Sequence, residues 1–283
     1  MGHFIEPDRA LEGAEDLHEA LGIPIRSGYR AIREAQRFHG QFRIFDRLIE
    51  RLAVDDLVCE DQCSIDYYFD LVRSLRDLNG EYDRVIEVGT FMGGASVMLA
   101  GCSGSFDFDL DLVDISAEHL QFTHERIRRS FPEAAGRVRL FHGDLPAYVR
   151  EVMLPRGSGR ALVHHDGSHM FDQVVHDLTA LSFVRDQLHS IIVQDTHLRG
   201  PHDRMIFVDM ALAAVFGTGM TFAPIGKVYE AQDSRTSPDR FAGHYFRPGM
   251  PEGMVLSMAA NAFQYPHPSA AFDKLFPRET AAA

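Results

Sequence analysis

Residues 83–96 read Asp83-Arg84-Val85-Ile86-Glu87-Val88-Gly89-Thr90-Phe91-Met92-Gly93-Gly94-Ala95-Ser96. An apolar run that ends in an acid leads into a Gly-x-x-x-Gly spacing and then into a segment compatible with a helix. Glycine lets the backbone pass close to a ligand, and the first turn of a helix offers unpaired N–H groups to a carboxylate or phosphate. The stretch therefore predicts a strand, a tight turn and a ligand-binding helix start, with a purely structural turn as the alternative.

Two further predicted strands end in acids. Asp114 closes the run Leu110–Asp114, and Asp144 follows the run that ends at His142. An acid at the end of the second strand can accept hydrogen bonds from both hydroxyls of a ribose. For Asp144 the alternative is a loop cap. An NAD-dependent oxidoreductase is disfavoured, because the dinucleotide fingerprint needs glycine where this chain has Phe91.

This order of motifs resembles that of the class I S-adenosylmethionine (SAM) methyltransferases. The resemblance implies a Rossmann-like α/β fold, with a mostly parallel seven-stranded sheet and helices on both faces. It also implies that SAM is the cofactor, with Asp144 beside the adenine and Asp166 near the methionine end. The implied SAM-binding residues are Glu87, Gly89, Thr90, Gly93, Ser96, Asp114, Ile115, Asp144 and Asp166.

A second group of polar residues follows the next two predicted strands. Asp166-Gly167-Ser168-His169 ends one of them, and Gln194-Asp195-Thr196-His197 ends the other. Because ligands of open α/β sheets bind beyond the carboxyl ends of the strands, Asp166, His169, Asp195 and His197 are expected to meet. Two carboxylates can hold Mg²⁺, and a histidine beside them can take a proton from a hydroxyl. The alternative is that each Asp only caps the next helix.

Residues 80–200 also resemble the metal-dependent O-methyltransferases of natural-product pathways, those of macrolide sugars in particular. The resemblance implies that Asp166 is a metal ligand and that His169 is the general base, so that both are catalytic. The Glu-Asp pair of that family, which supplies further metal ligands, reads Gln194-Asp195 here. A neutral amide then replaces a carboxylate, so metal affinity is expected to fall or the metal to be absent.

The rest of the chain predicts the organisation around these motifs. Apolar residues recur at helical spacing in 9–21, 28–52 and 64–78, which predicts a helical region over 1–80 that serves as oligomerisation surface or acceptor cap. Strand and helix patterns then alternate, which predicts a SAM-binding domain over 81–283 with a parallel sheet. Its later parts are a helix over 203–216, strands over 219–223 and 254–258, and an insertion over 226–252. His164 and His165 are consecutive in a strand and should face opposite sides, at least one of them buried and hydrogen-bonded.

The charge, the apolar runs and the cysteines of the chain limit the kinds of partner and compartment that are expected. The 28 basic and 41 acidic residues give a net charge of −13, which disfavours a nucleic-acid substrate. No apolar run is long enough to span a membrane, no signal peptide is evident, and three cysteines without framework spacing are typical of reduced thiols in a cytoplasmic protein. The leading hypothesis is a homo-oligomeric O-methyltransferase that acts on a hydroxyl of a small molecule, such as a natural product or its sugar. A metal-independent enzyme that uses His169 alone and a catalytically idle SAM-binding scaffold remain as alternatives.

Overall fold

The computed structural model describes residues 2–200, 204–230 and 245–266. Residue 203, where the last predicted helix begins, and residues 231–244 of the predicted insertion lie outside these ranges. The strands of the described part are β1 (His3–Ile5), β2 (Arg84–Val88), β3 (Asp109–Asp114), β4 (Val138–His142), β5 (Ala161–His165), β6 (Leu188–Gln194), β7 (Leu198–Arg199), β8 (Ala223–Val228), β9 (Tyr245–Phe246) and β10 (Pro251–Ser257). The α-helices are α1 (Leu17–Leu21), α2 (Arg43–Ala53), α3 (Ile65–Asp77), α4 (Gly94–Phe106), α5 (Ala117–Ser130), α6 (Leu145–Tyr148), α7 (Leu154–Arg156), α8 (Phe171–Leu181) and α9 (Val208–Phe216).

One sheet of eight strands dominates the molecule, in the order β1-β4-β3-β2-β5-β6-β10-β8. The strands from β4 to β6 pair in parallel, whereas β10 runs antiparallel to both β6 and β8. This confirms the predicted α/β class and its mostly parallel sheet. The predicted count of seven strands is wrong by one, because β1 pairs antiparallel with the outer edge of β4. The predicted strand over 219–223 begins later, as β8, and residues 226–228 and 251–252 of the predicted insertion belong to β8 and β10.

The sheet separates two apolar cores. Alternate residues of β2 point to opposite faces, so that Val85 packs with α3 and α4 while Ile86 packs with α8 and α9. Every residue of β2 and of β5 is buried, as expected for central parallel strands covered on both sides. The two cores cover both faces of the sheet. The carboxyl ends of its parallel strands are therefore where a site can form.

The glycine turn links two of those strand ends. Gly89 has a φ of 84°, and a Cβ placed there would lie 2.3 Å from the carbonyl oxygen of Asp166. Asp166 also donates its backbone N–H to the Val88 carbonyl over 2.8 Å. A residue other than glycine at position 89 would thus collide with the end of β5, whatever ligand is bound.

The region before β2 is helical and lies against the glycine turn. It contains α1, α2 and α3 together with two 3₁₀ helices at Arg9–Gly13 and Ala31–Phe38. Arg126 of α5 is 1% exposed and donates one hydrogen bond to the Met92 carbonyl, over 2.6 Å, and one to the Asp61 carboxylate, over 3.1 Å. This buried ion pair holds the segment before α3 on the turn. Among the described residues, none of the helices combines the length and apolar character that a membrane crossing requires.

Candidate functional site

The glycine turn is hydrogen-bonded to the end of β3. Thr90 donates to Oδ2 of Asp114 from its backbone N–H, over 2.8 Å, and from its hydroxyl, over 3.1 Å, and the Ser116 N–H donates to Oδ1 over 2.9 Å. Burial alone would raise the pKa of Asp114, but the hydrogen bonds from His119, Thr90 and Ser116 lower it. Asp114 is therefore ionised, and its oxygens are fixed by the backbone while lone pairs remain for a ligand hydroxyl.

The surface beside Asp114 suits an aromatic ligand. Ile115 is 76% exposed although it is a large apolar residue, and it directly follows the acid. Phe91 has a left-handed backbone with a φ of 45°, and its ring packs edge-on against His119. Asp144 is exposed and caps α6 by accepting a hydrogen bond from the Ala147 N–H over 2.8 Å, so its capping role is real. A cap uses one of its two carboxylate oxygens and leaves the other for a ligand.

A set of buried polar side chains lies on the face of the sheet that carries α3. Glu87 pairs with His164 across β2 and β5, and Gln194 lies two residues beyond the next partner, on the same face. Glu87 is 1% exposed, and its Oε2 has no hydrogen-bond partner within the part of the chain that the structure describes. Gln194 donates to Sγ of Cys63 over 3.0 Å, but its Oε1 likewise lacks a partner there, as does the hydroxyl of Ser96 in α4. Buried polar atoms without partners are costly, so these atoms are candidates for contact with a polar ligand.

Asp166, His169 and Asp195 come together beyond β5 and β6, as the sequence predicts. Nε2 of His169 lies 2.9 Å from Oδ2 of Asp195 and 3.7 Å from Oδ1 of Asp166. Asp195 has a φ of 57°, a left-handed backbone that non-glycine residues seldom adopt and that concentrates at functional sites. The neighbouring strand ends thus hold two acids and one imidazole in a single cluster, which we call the acid–histidine cluster.

The charges in this cluster shift each other's titration. Burial raises the pKa of Asp166 to about 6, and the Asp195 charge adds to the rise while hydrogen bonding to His169 opposes it. Burial alone would lower the pKa of His169, but the two carboxylates outweigh burial and raise it to about 10. Without another cation, His169 is therefore an imidazolium that compensates the two acids.

The donor set fits a divalent cation. One ligand atom from each of Asp166, His169 and Asp195 lies within 4.8 Å of the others. Two carboxylates suit Mg²⁺ or Mn²⁺, while an added imidazole shifts the preference toward Mn²⁺, Fe²⁺ or Zn²⁺. The geometry leaves the third predicted ligand, Gln194, untested, because the only hydrogen bond described for its side chain goes to Cys63.

His197 does not join the acid–histidine cluster, although its spacing suggests that it should. Its ring stacks on Phe246 and Tyr229, with centroids 4.3 and 5.4 Å away. Arg247, next to Phe246, and Arg199 both bind the buried carboxylate of Asp209, which ties this aromatic stack to α9. The spacing of residues in the sequence does not predict this stack, because its members lie up to 49 residues apart.

No family model matches this chain, and no curated protein sequence does so significantly. Solved structures similar to it include CalS11, a TDP-rhamnose 3′-O-methyltransferase of calicheamicin biosynthesis, with 13% identity, 80% of this chain and 92% of that one covered, and a TM-score of 0.46. Others are cofactor-bound Rv0187 from MTB (13% identity, 83% and 98% covered, TM-score 0.48) and an O-methyltransferase from Bacillus cereus in complex with SAH (13% identity, 59% and 72% covered, TM-score 0.41). At such identities the likeness concerns the fold alone.

Proposed function

We propose that this chain is a SAM-dependent O-methyltransferase that acts on a hydroxyl of a small molecule, assisted by a divalent cation and with His169 as the base. The observation that carries the proposal is the contact between the glycine turn and the acid–histidine cluster. Gly89 packs against the backbone of Asp166, so a cofactor bound over the turn would end beside the cluster.

The two ends of SAM match the polar groups on either side of the turn. Asp114 accepts hydrogen bonds from ribose hydroxyls, and the exposed Ile115 side chain packs against the adenine. On the other side, Oε2 of Glu87 and Oε1 of Gln194, which lack a partner among the described residues, are acceptors for an ammonium group. The amino-acid end of SAM supplies such a group as its α-ammonium.

The acid–histidine cluster provides the chemistry of transfer. Bound SAM would supply an electrophilic methyl group on sulfur. The acceptor oxygen attacks that methyl carbon in one step, so that the C–O bond forms as the C–S bond breaks and the sulfur leaves as a neutral thioether. Asp195 lies against Nε2 of His169, which leaves Nδ1 to take the hydroxyl proton. A divalent cation held by Asp166 and Asp195 would lower the pKa of that hydroxyl. Positive charge that enters the site also favours the neutral form of His169, because it opposes the two carboxylates.

Calorimetry with chelator-treated protein tests the proposal. SAM should bind with or without added Mn²⁺ or Mg²⁺, and methyl transfer to a panel of hydroxylated small molecules should increase when the cation is present. Failure of SAM to bind under every condition would show that the glycine turn is structural and would overturn the proposal.

A metal-independent mechanism is the second candidate. It is favoured by one observation, that His169 already lies between the two acids where a cation would otherwise compensate them. Full turnover after exhaustive chelation would support this mechanism, and loss of turnover that Mn²⁺ restores would exclude it.

A further inference from the structure

We infer that Tyr67 and His164 are positioning residues that hold the Glu87 carboxylate toward the ammonium group at the amino-acid end of the cofactor. This inference rests on the proposed function, because it concerns how the same site recognises SAM. It assigns a role to two buried residues that take no direct part in the chemistry above.

The three side chains form a line across the buried face of the sheet. The Tyr67 hydroxyl lies 2.8 Å from Nε2 of His164, and Nδ1 of His164 lies 3.6 Å from Oε1 of Glu87. Tyr67 and His164 are fully buried and Glu87 nearly so. The line thus begins on α3 and ends at Glu87, the acid of β2 that lies near the glycine turn.

The backbone sets this geometry. His164 and Glu87 are direct partners in the parallel ladder of β5 and β2, which places both side chains on one face. Tyr67 enters that face from α3, whose N-terminus is capped by Ser64. Tyr67 is also packed tightly against β8 and β10, since a Cβ at Gly253 would lie 2.6 Å from its ring. Its hydroxyl therefore has little freedom to move away from His164.

The unsatisfied atoms indicate what the line is for. If the Tyr67 hydroxyl donates to Nε2, the proton of His164 is on Nδ1 and faces Oε1 of Glu87. Oε2 of Glu87 remains buried and has no partner in the described ranges. A buried carboxylate with one oxygen left over requires a cation or a donor. An ammonium group meets that requirement both as a cation and as a donor, whereas the adenosine part of SAM offers only neutral donors.

The neighbouring histidine provides a matched control. His165 has nearly the same burial, but it faces the opposite core, where its Nε2 lies 3.0 Å from Oδ2 of Asp177 on α8. A substitution at either position removes a buried imidazole from the same strand. Only the substitution at His164 removes the partner of Glu87.

The test compares two ligands by calorimetry on the full chain. SAM carries the amino-acid end, whereas 5′-methylthioadenosine has the same nucleoside without it. We expect His164→Gln to weaken SAM binding by about tenfold or more, as for loss of a charge-assisted contact, and to leave the affinity for methylthioadenosine within about twofold. Tyr67→Phe should have the same selectivity with a smaller effect, and Glu87→Gln a larger one. His165→Gln should lower the melting temperature without ligand selectivity.

The outcomes separate the two proposals. Equal weakening of both ligands by His164→Gln, or no change in either, would overturn the positioning role while SAM binding by the native protein leaves the proposed function intact. The Tyr67→Phe/His164→Gln double variant tests whether the two residues act together. If the two losses in the free energy of SAM binding simply add, the residues act independently and their joint positioning role is also overturned. If native protein binds methylthioadenosine but not SAM, the proposed function itself fails.

Discussion

The site at the carboxyl ends of the parallel strands has two halves, the glycine turn with Asp114 and the acid–histidine cluster. The two halves differ in how their carboxylates are paired. In the glycine-turn half, the Asp114 carboxylate is already hydrogen-bonded by Thr90 and Ser116 before any ligand binds. In the other half, two carboxylates and one imidazole face each other at short range, and Asp195 has a left-handed backbone. The comparison teaches that the Asp114 carboxylate is held in place by hydrogen bonds within the chain, whereas the charges of the second half respond to any charge that enters it.

The contact between Gly89 and the Asp166 backbone joins the two halves, and a substitution there should have the largest effect on stability. Gly89→Ala places a Cβ on the Asp166 carbonyl and forces an alanine into a φ of 84°, so we expect it to lower the free energy of unfolding by about 3 kcal/mol or more. Urea denaturation measures this. Gly104→Ala in α4 is the control. Apart from the chain neighbours and the backbone of its own helix, no atom of the described residues lies within 4 Å of a Cβ placed at Gly104, and alanine favours helix. Equal stability of both variants would show that the halves do not depend on this contact.

Removal of the imidazole should separate binding from chemistry. His169→Ala is expected to lower methyl-transfer turnover by about 100-fold or more, the usual contribution of a general base, while the SAM dissociation constant changes little. Single-turnover kinetics and calorimetry measure the two effects. His176→Ala on α8 is a control that removes a histidine outside the acid–histidine cluster. Undiminished turnover of His169→Ala with SAM bound would remove His169 from the mechanism.

A substitution at position 194 can increase the negative charge beside the acid–histidine cluster. Gln194→Glu adds a carboxylate on the neighbouring residue of Asp195, and we expect Mn²⁺ affinity to rise by roughly tenfold if that side chain reaches the cation. Titration of chelator-treated protein with Mn²⁺ measures the change. An unchanged affinity would show that position 194 faces Cys63 alone, as its hydrogen bond in this structure does.

An effect of pH on stability is expected at Glu252, a buried acid near Asp195. Burial raises the pKa of Glu252 to about 7, although hydrogen bonds from Ser64 and Lys227 oppose the rise. The folded protein therefore binds a proton that the unfolded chain releases, and stability falls as the pH rises from about 4.5 to about 7. Glu252→Gln should lack this contribution and gain on the order of 2 kcal/mol relative to the native protein between pH 5 and pH 8.

Urea denaturation at the two pH values measures that difference. Glu50→Gln, an exposed substitution on α2, is the control and should follow the native protein. If the Glu252→Gln variant and the native protein lose stability in parallel, the Glu252 carboxylate does not contribute to the pH dependence.

The sequence predicted what depends on local pattern. The strand predicted before the glycine turn and the predicted strands that end at Asp114 and at His142 agree with β2, β3 and β4, because apolar runs bounded by turn residues carry that information locally. Asp166, His169 and Asp195 meet because residues after parallel strands share an edge, which spacing alone predicts. The opposite faces of His164 and His165 follow from the two-residue period of a strand, and both are buried and hydrogen-bonded.

The features that sequence reasoning missed depend on distant partners. β1 is only three residues long, too short for a pattern, and exists because β4 offers it an open edge. His197 follows the acids in sequence but stacks on Phe246, which is 49 residues later. Gln194 bonds to Cys63, 131 residues earlier, and no spacing rule connects them.

The ion pair of Asp61 with Arg126 also bears on how such chains can diverge. Both side chains are 1% exposed, and the same guanidinium holds the Met92 carbonyl of the glycine turn. Recombination that separates codon 61 from codon 126 would leave the buried Arg126 charge without this carboxylate, at a cost of about 3–5 kcal/mol. The segment before α3 and the helix after β3 are thus expected to be inherited together, so that a new amino-terminal region can enter this protein only with a compatible α5.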